Sequence, residues 1–286
     1  MRSIVAIIHG RALAKKRALA QAHLEVLRAT GVPVEVVETR YAGHATKIVE
    51  ERLGQNVDFA SLGGDGTHFE VLNGLFPRVL SMEDPPRLWP MALGTGNSFL
   101  KDFPPADRRA RRCDVIQATH DRGVFYFMNL LSLGFVGEVA ELRNRRFPHI
   151  GDLGYVVAVV LKTLSLRPVP FSLRVDGVPL EGDQTFLSFN NSQCTGGDMK
   201  MAPGARTDDG FMDLLAVAPM GRWELLSTFP KIFTGKHVEH PKVSLRKVRE
   251  VEFEGQREYA AMVDGETGRY RFRSLRVLPS ALEIVA

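Results

Sequence analysis

Several short stretches of this chain combine residue types that can do chemistry. In Gly63-Gly64-Asp65-Gly66-Thr67 an apolar run ends, glycines surround one carboxylate, and a segment of helical spacing begins. Glycine permits backbone angles and close approaches that a Cβ forbids, so a ligand can touch the chain there. A turn that opens a helix also offers backbone N–H groups and the positive end of the helix dipole, which suits phosphate. Asp65 repels phosphate unless a divalent cation bridges the two, so the motif predicts a metal-bound nucleotide. The competing reading is a tight strand-to-helix turn with no ligand. The spacing is neither that of a Walker loop nor that of a G-x-G-x-x-G fingerprint.

A second acidic stretch, Val263-Asp264-Gly265-Glu266, places two carboxylates two residues apart. In an extended segment they share a side, so one could hold metal or water while the other takes a proton. An acidic hairpin tip is the plain alternative. Asp208-Asp209-Gly210, ahead of the apolar run 211–217, reads equally as a type I turn or as a cation site of carboxylate and carbonyl oxygens. Gly94-Thr95-Gly96-Asn97 is a further glycine turn at a strand end, with N–H donors, a hydroxyl and an amide for phosphate or ribose; its weight comes from pairing with the first.

The elements that must carry these turns follow from hydrophobic spacing. Runs 3–9, 34–39, 59–62 and 88–93 read as buried strands. Between them, a helix is predicted over 14–30 with Leu19, Ala22, Val26 and Leu27 on one face, and a second is marked by Ala45, Ile48, Val49 and Leu53. A third spans 67–75, capped by Thr67 and facing the core with Phe69, Val71, Leu72 and Leu75. Alternating strand and helix means a doubly wound parallel sheet, with ligands beyond the carboxyl ends of the strands, where both glycine turns lie.

From about Arg112 the texture changes to short β-rich runs separated by turn residues, the pattern of an antiparallel β-sandwich, with helical interruptions over 153–166 and 222–233. The predicted fold class is therefore α/β plus all-β. An N-terminal doubly wound α/β nucleotide-binding domain covers 1–120 and a C-terminal antiparallel β-sandwich covers 121–286, whose last strand or tail is a candidate to return to the first domain.

Composition agrees with two cores: 286 residues, 44% of them hydrophobic. The net charge is +4 and the pI about 9.1. Basic clusters at Lys15-Lys16-Arg17, Arg108 to Arg112, Arg143 to Arg146 and Arg271 to Arg276 could meet phosphates or an anionic membrane, or be solvated faces. Two cysteines, Cys113 and Cys194, make no disulfide framework, and 1–10 reads as a strand rather than a secretory leader, so a cytoplasmic location is expected. The longest apolar stretch, 153–166, contains Lys162 and falls short of the ~20 residues of a spanning helix. Flanked by Arg143, Arg145, Arg146 and Arg167, it is a candidate lipid entrance that docks on anionic membrane; ordinary core is the alternative.

Taken in order, LGGDGTHFEVLNGL, PMALGTGNSFLKDF, APGARTDDGFMDL and VDGE resemble the diacylglycerol kinase and sphingosine kinase superfamily, particularly its bacterial soluble lipid kinases. TRYAGHA at 39–45 and GDLGYVVAVVLKTL at 151–164 extend the resemblance over nearly the whole chain. It implies ATP and Mg²⁺ as cofactors and transfer of the γ-phosphate to a hydroxyl of a membrane lipid, diacylglycerol first and a sphingoid base or related lipid alcohol second. By matching positions, Thr39, Gly63, Gly64, Asp65, Gly66, Thr67, Gly94, Thr95 and Asn97 would contact the nucleotide, with Glu70 at an acidic position of the cleft. Glu266 would accept the hydroxyl proton, and Asp65 and Asp264 would organise metal, water and phosphates. Asp209, with carbonyls near Arg206 and Phe211, would correspond to a Mg²⁺ site that can be structural.

The chain departs from the pattern at His9-Gly10-Arg11, where the family usually has an Asn-Pro-containing glycine-rich loop, and at Asp198, where glycine is common. The partners implied are a lipid alcohol and an anionic membrane surface, with peripheral attachment at the inner membrane face; no nucleic acid is implied, and a homodimer is a candidate assembly. Because NAD kinases share GGDGT, an NAD kinase-like phosphotransferase with a soluble substrate is one alternative. A non-catalytic lipid-binding module with the kinase fold is the other.

Overall fold

The β-branched runs near the start of the chain become the strands of a parallel sheet in the computed structural model, which describes residues 2–94, 97–103, 108–147 and 151–286. By contact density the chain divides into two units, one of Met1–Cys113 with Ser280–Ala286 and one of Asp114–Pro279.

The first unit contains β1 (Ser3–His9), α1 (Gly10–Lys15), α2 (Arg17–Arg28), β2 (Val34–Thr39), α3 (His44–Arg52), β3 (Val57–Gly63), α4 (Asp65–Leu75) and β4 (Leu88–Ala92). The parallel order is β2-β1-β3-β4, so the direction of winding reverses between β1 and β3. That reversal opens a crevice at the carboxyl ends of the strands. Ile4, Ala6 and Ile8 of β1 and Ala60 and Leu62 of β3 pack on Ala20, Leu24 and Leu27 of α2. Ser61, whose side chain points to the opposite face, is hydrogen bonded to His68 of α4, so helices cover both sides of the sheet.

Two helix expectations are corrected here. The segment 14–30 is not one helix: the chain breaks at Lys16 (φ −130°, ψ 41°) between α1 and α2. Its buried stripe is Ala20, Leu24 and Leu27, while Leu19 and Val26 are exposed. Both sets have helical spacing, and packing on the sheet rather than periodicity sets the phase. Likewise α4 starts at Asp65 with Gly64 as its N-cap, so Thr67 lies inside the first turn and does not cap it. His68, not Phe69, joins Val71, Leu72 and Leu75 in the buried face.

The second unit adds β5 (Ala110–His120), β6 (Gly123–Phe127), β7 (Leu130–Gly134), α5 (Phe135–Arg146), α6 (Gly151–Leu164), β8 (Val169–Val175), β9 (Val178–Gln184) and β10 (Phe186–Asn190). It continues through a small hairpin, β11 (Cys194–Thr195) and β12 (Met199–Lys200), to β13 (Met212–Val217) and α7 (Arg222–Thr228). The last strands are β14 (Val243–Val248), β15 (Glu250–Phe253), β16 (Tyr259–Val263), β17 (Glu266–Tyr270) and β18 (Phe272–Val285). One antiparallel sheet runs β14-β13-β10-β7-β16-β17, and β18, β15, β8 and β9 form a second antiparallel layer. The layers meet through aromatic rings: Phe171 stacks on Tyr259 at 4.7 Å and Phe189 meets Phe253 edge-on at 6.3 Å.

The β-rich run over 123–135 divides into β6 and β7 and ends at Gly134, where α5 begins. This helix has no counterpart in the sequence reading. Its apolar residues crowd into the first half, and Gly137 lies so close to β16 that an added Cβ would stand 2.8 Å from the Ala261 nitrogen. Such close backbone contact leaves no regular apolar stripe to read.

Candidate active site

The glycine turn after β3 is held by backbone contacts first. The Gly63 carbonyl accepts N–H bonds from Leu93 and Gly94, both at 2.8 Å, which lays the two glycine turns side by side. A Cβ on Gly94 would stand 2.8 Å from the Gly64 nitrogen, so the close approach requires glycine. Gly64 carries no side-chain cap; its carbonyl accepts from the N–H groups of Thr67 at 2.9 Å and His68 at 3.1 Å, while those of Asp65 and Gly66 have no acceptor within the helix. Asp65 does not turn back over them. Its carboxylate instead accepts from the N–H of Ser98 at 3.1 Å, and burial raises its pKa above the usual carboxylate value, opposed by those backbone bonds.

Asn97 closes the second turn, accepting from Gly94 N at 3.1 Å and donating to Gly94 O at 3.0 Å. Thr95, which the sequence reading places on the nucleotide, lies outside the described residues. The same turn gains a cation from the basic cluster 15–17, which the sequence reading gives only as a patch that could meet phosphates: Lys16 Nζ donates to Gly94 O at 2.6 Å. Its position at the break between α1 and α2 puts it there, and a lone lysine in a basic run gives no such signal. His23 lies against the same strand end, with Nε2 2.9 Å from Ala92 O.

Thr39 ends β2 opposite His9, and a Cβ on Gly10 would stand 2.8 Å from the Thr39 carbonyl. The loop after Thr39 is pinned by Glu70, whose carboxylate oxygens accept from Gly43 N at 2.8 Å and Ala45 N at 3.1 Å. Glu70 therefore caps the start of α3 and orients the loop, a use not visible from its position in the sequence. Among the buried groups here, His68 has its pKa lowered to about 4 by burial.

In the second unit the VDGE segment is not extended. Val263 pairs with Glu266 across a two-residue turn, with Asp264 at φ 44° and Gly265 at φ 87°. The expectation that the two carboxylates share a side is thus corrected. Asp264 is buried and accepts from the N–H groups of Met128, Asn129 and Leu130 at 3.1, 3.2 and 2.9 Å, whereas Glu266 is exposed at the hairpin tip. The tight turn forces the split, because Asp264 sits inside it while Glu266 begins the returning strand.

Asp209 accepts from Phe211 N at 3.1 Å and pairs with Lys247, whose ammonium also lies 3.9 Å from Asp213. Arg206 turns to Asp208 at 3.2 Å. Asp213 is buried; desolvation, with Asp209 adding to it, raises its pKa. The charge of this cluster suits a cation, but Lys247 already supplies one. Among the described residues no group of three or more His, Cys, Asp or Glu side chains is placed to hold a metal ion. Neighbouring Asp114, also buried and not singled out by the sequence reading, accepts from Gly210 N at 2.6 Å and fixes the same turn.

With this geometry in view, residues 4–125 match the diacylglycerol kinase catalytic domain and residues 129–286 the YegS C-terminal NAD kinase beta sandwich-like domain. A curated diacylglycerol kinase of Mycobacterium tuberculosis is 31% identical over 91% of this chain and 86% of its own length. One of Staphylococcus aureus is 28% identical over 88% and 82%. A crystal structure of a Bacillus anthracis diacylglycerol kinase superposes with a TM-score of 0.68, covering 99% of this chain and 96% of that one; at 18% identity the likeness is one of fold. By motif, domain match and identity over most of its length, this chain belongs to the diacylglycerol kinase family and is a lipid kinase.

Proposed function

We propose that the enzyme transfers the γ-phosphate of ATP to the hydroxyl of diacylglycerol, giving phosphatidic acid, and that a sphingoid base or related lipid alcohol is the next candidate acceptor. The observation that carries this reading is the uncapped start of α4 beside the second glycine turn, with Lys16 against it. Phosphate fits such a place because free N–H groups, a helix dipole and a cation all favour negative charge. Gly63 to Thr67 with Gly94 and Asn97 would cradle the phosphates, and Thr39 would lie on the nucleotide side at the end of β2.

Mg²⁺ is the cation proposed to accompany ATP; when bound it neutralises charge on the phosphates. Asp65 fits it, since a buried carboxylate whose ionised form is disfavoured is relieved by a positive neighbour. Glu266, exposed at its hairpin tip, is the proposed acceptor of the lipid hydroxyl proton, and Asp264 keeps that hairpin in place from below. Proton transfer of this kind contributes about 10² to 10⁴-fold. The proposed setting is the inner face of the membrane, reached peripherally; among the described residues no helix is long and apolar enough to cross it.

The test is incubation with labelled ATP and Mg²⁺, offering diacylglycerol, sphingosine or NAD in parallel. Label in the organic phase with diacylglycerol supports the reading; label on NAD alone overturns it. Lipid binding with no transfer of label, unchanged in Asp65→Ala and Glu266→Ala, would instead favour a lipid-binding module.

A further inference from the structure

One face of α6 makes a poor surface for water. Ala158, Val159 and Thr163 are buried, while Val156, Val160, Leu161 and Leu164 are exposed, Leu164 by 63%. A helix apolar on both sides has a second apolar medium to meet. Lys162 does not interrupt the exposed stripe, because it faces α5 and pairs with Glu138 at 3.2 Å. Next to it, α7 packs on α6 and carries Trp223, 84% exposed. Tryptophan favours the boundary between lipid and water, where its ring is half in each.

The charges around this face are one-sided. Among the described side chains of these helices the acidic ones are neutralised in place: Glu138 by Lys162, Glu141 by Arg269 at 3.0 Å and Glu224 by Lys242 at 2.8 Å. Arg143, Arg145 and Arg146 close α5, which packs on α6; Arg167 follows α6, and Arg222 opens α7. Two copies meeting through so cationic a face would repel each other. An anionic leaflet complements both the charge and the apolar stripe.

We propose that α6 and Trp223 of α7 form a membrane-docking face, with the α6 stripe and the indole set among the acyl chains and the arginines on anionic headgroups. This deepens the lipid-kinase reading only in naming the surface, and it is tested without ATP. The whole chain is sedimented with phosphatidylglycerol vesicles and with phosphatidylcholine vesicles. Strong partition is expected only to the former, falling as salt rises. Val160→Asp with Leu164→Asp, and separately Trp223→Ala, should lower that partition at least tenfold, and Arg145→Ala and Arg146→Ala about fivefold each. All are surface changes, so melting temperatures and phosphorylation of a monomeric short-chain diacylglycerol should stay at wild-type values. Equal binding to both vesicle types, binding unaffected by Val160→Asp with Leu164→Asp, or a dimer broken by that pair while partition persists, would each overturn the proposal. If vesicles are bound as expected but no lipid is phosphorylated, the docking face stands and the ATP reading fails.

Discussion

After β3, Asp65 begins a helix yet sends its carboxylate across to the Ser98 backbone, and in the β16–β17 turn Asp264 sends its own down to Met128, Asn129 and Leu130. Both aspartates sit in glycine-bearing turns, and both are used to hold a second piece of backbone. What differs is what remains at the surface. In the first unit these are the N–H groups of Asp65 and Gly66 at a helix start, half-buried, with Lys16 alongside. In the second it is a carboxylate, Glu266. On the proposed reading, the first turn would receive negative charge and the second would supply a proton acceptor.

The sharpest way to break that comparison is to remove the exposed carboxylate. Glu266→Gln should slow lipid phosphorylation by about 10² to 10⁴-fold while urea melts shift by less than about 0.5 kcal/mol. Unchanged turnover would dissolve the division of labour. Asp264→Ala should do the reverse in kind: with three buried N–H groups left unpaired, stability drops on the order of 4 kcal/mol, measured by the urea midpoint.

A pH titration of stability sharpens the first-unit side. His68 is neutral when folded, with its pKa lowered to about 4 from 6.5. The unfolded chain takes up a proton that the folded one refuses, so stability falls as pH drops from about 6.5 to about 4, by about 3 kcal/mol. His68→Gln should flatten that limb. Asp65 acts with the opposite sign, since its raised pKa adds stability on acidification, and Asp65→Asn should make the His68 limb steeper. The smallest effect is expected at Glu70→Ala, which uncaps α3 for about 1 kcal/mol and, by loosening the loop after Thr39, raises KM for ATP more than it lowers kcat.

The comparison also shows where reading from residues runs out. Short-range chemistry is legible: glycines beside an aspartate at the end of a β-branched run mark a turn wherever they occur, and the strand Ser3–His9 carries its own signal of consecutive apolar residues. Direction is not legible. Nothing local tells whether Asp65 caps its own helix or reaches Ser98, or that Glu70 turns to Gly43 and Ala45, because the partners are 25 or more residues away. The α2 stripe failed for a related reason. Leu19 and Val26 satisfy a helical period as well as Leu24 and Leu27 do, and only the sheet surface decides which set is covered.

By itself the sequence determined the alternation of strands and helices, the change to β-rich texture near Arg112 and the glycine turn at the end of the third strand, since each depends on neighbours a few residues apart. Tertiary structure alone decided which carboxylates are sunk as supports and which is offered to solvent, that Lys16 rather than another lysine meets the second glycine turn, and that α6 keeps one apolar face outward. Those choices are made by groups that meet only once the chain has folded, where burial and a handful of hydrogen bonds outweigh anything that local spacing encodes.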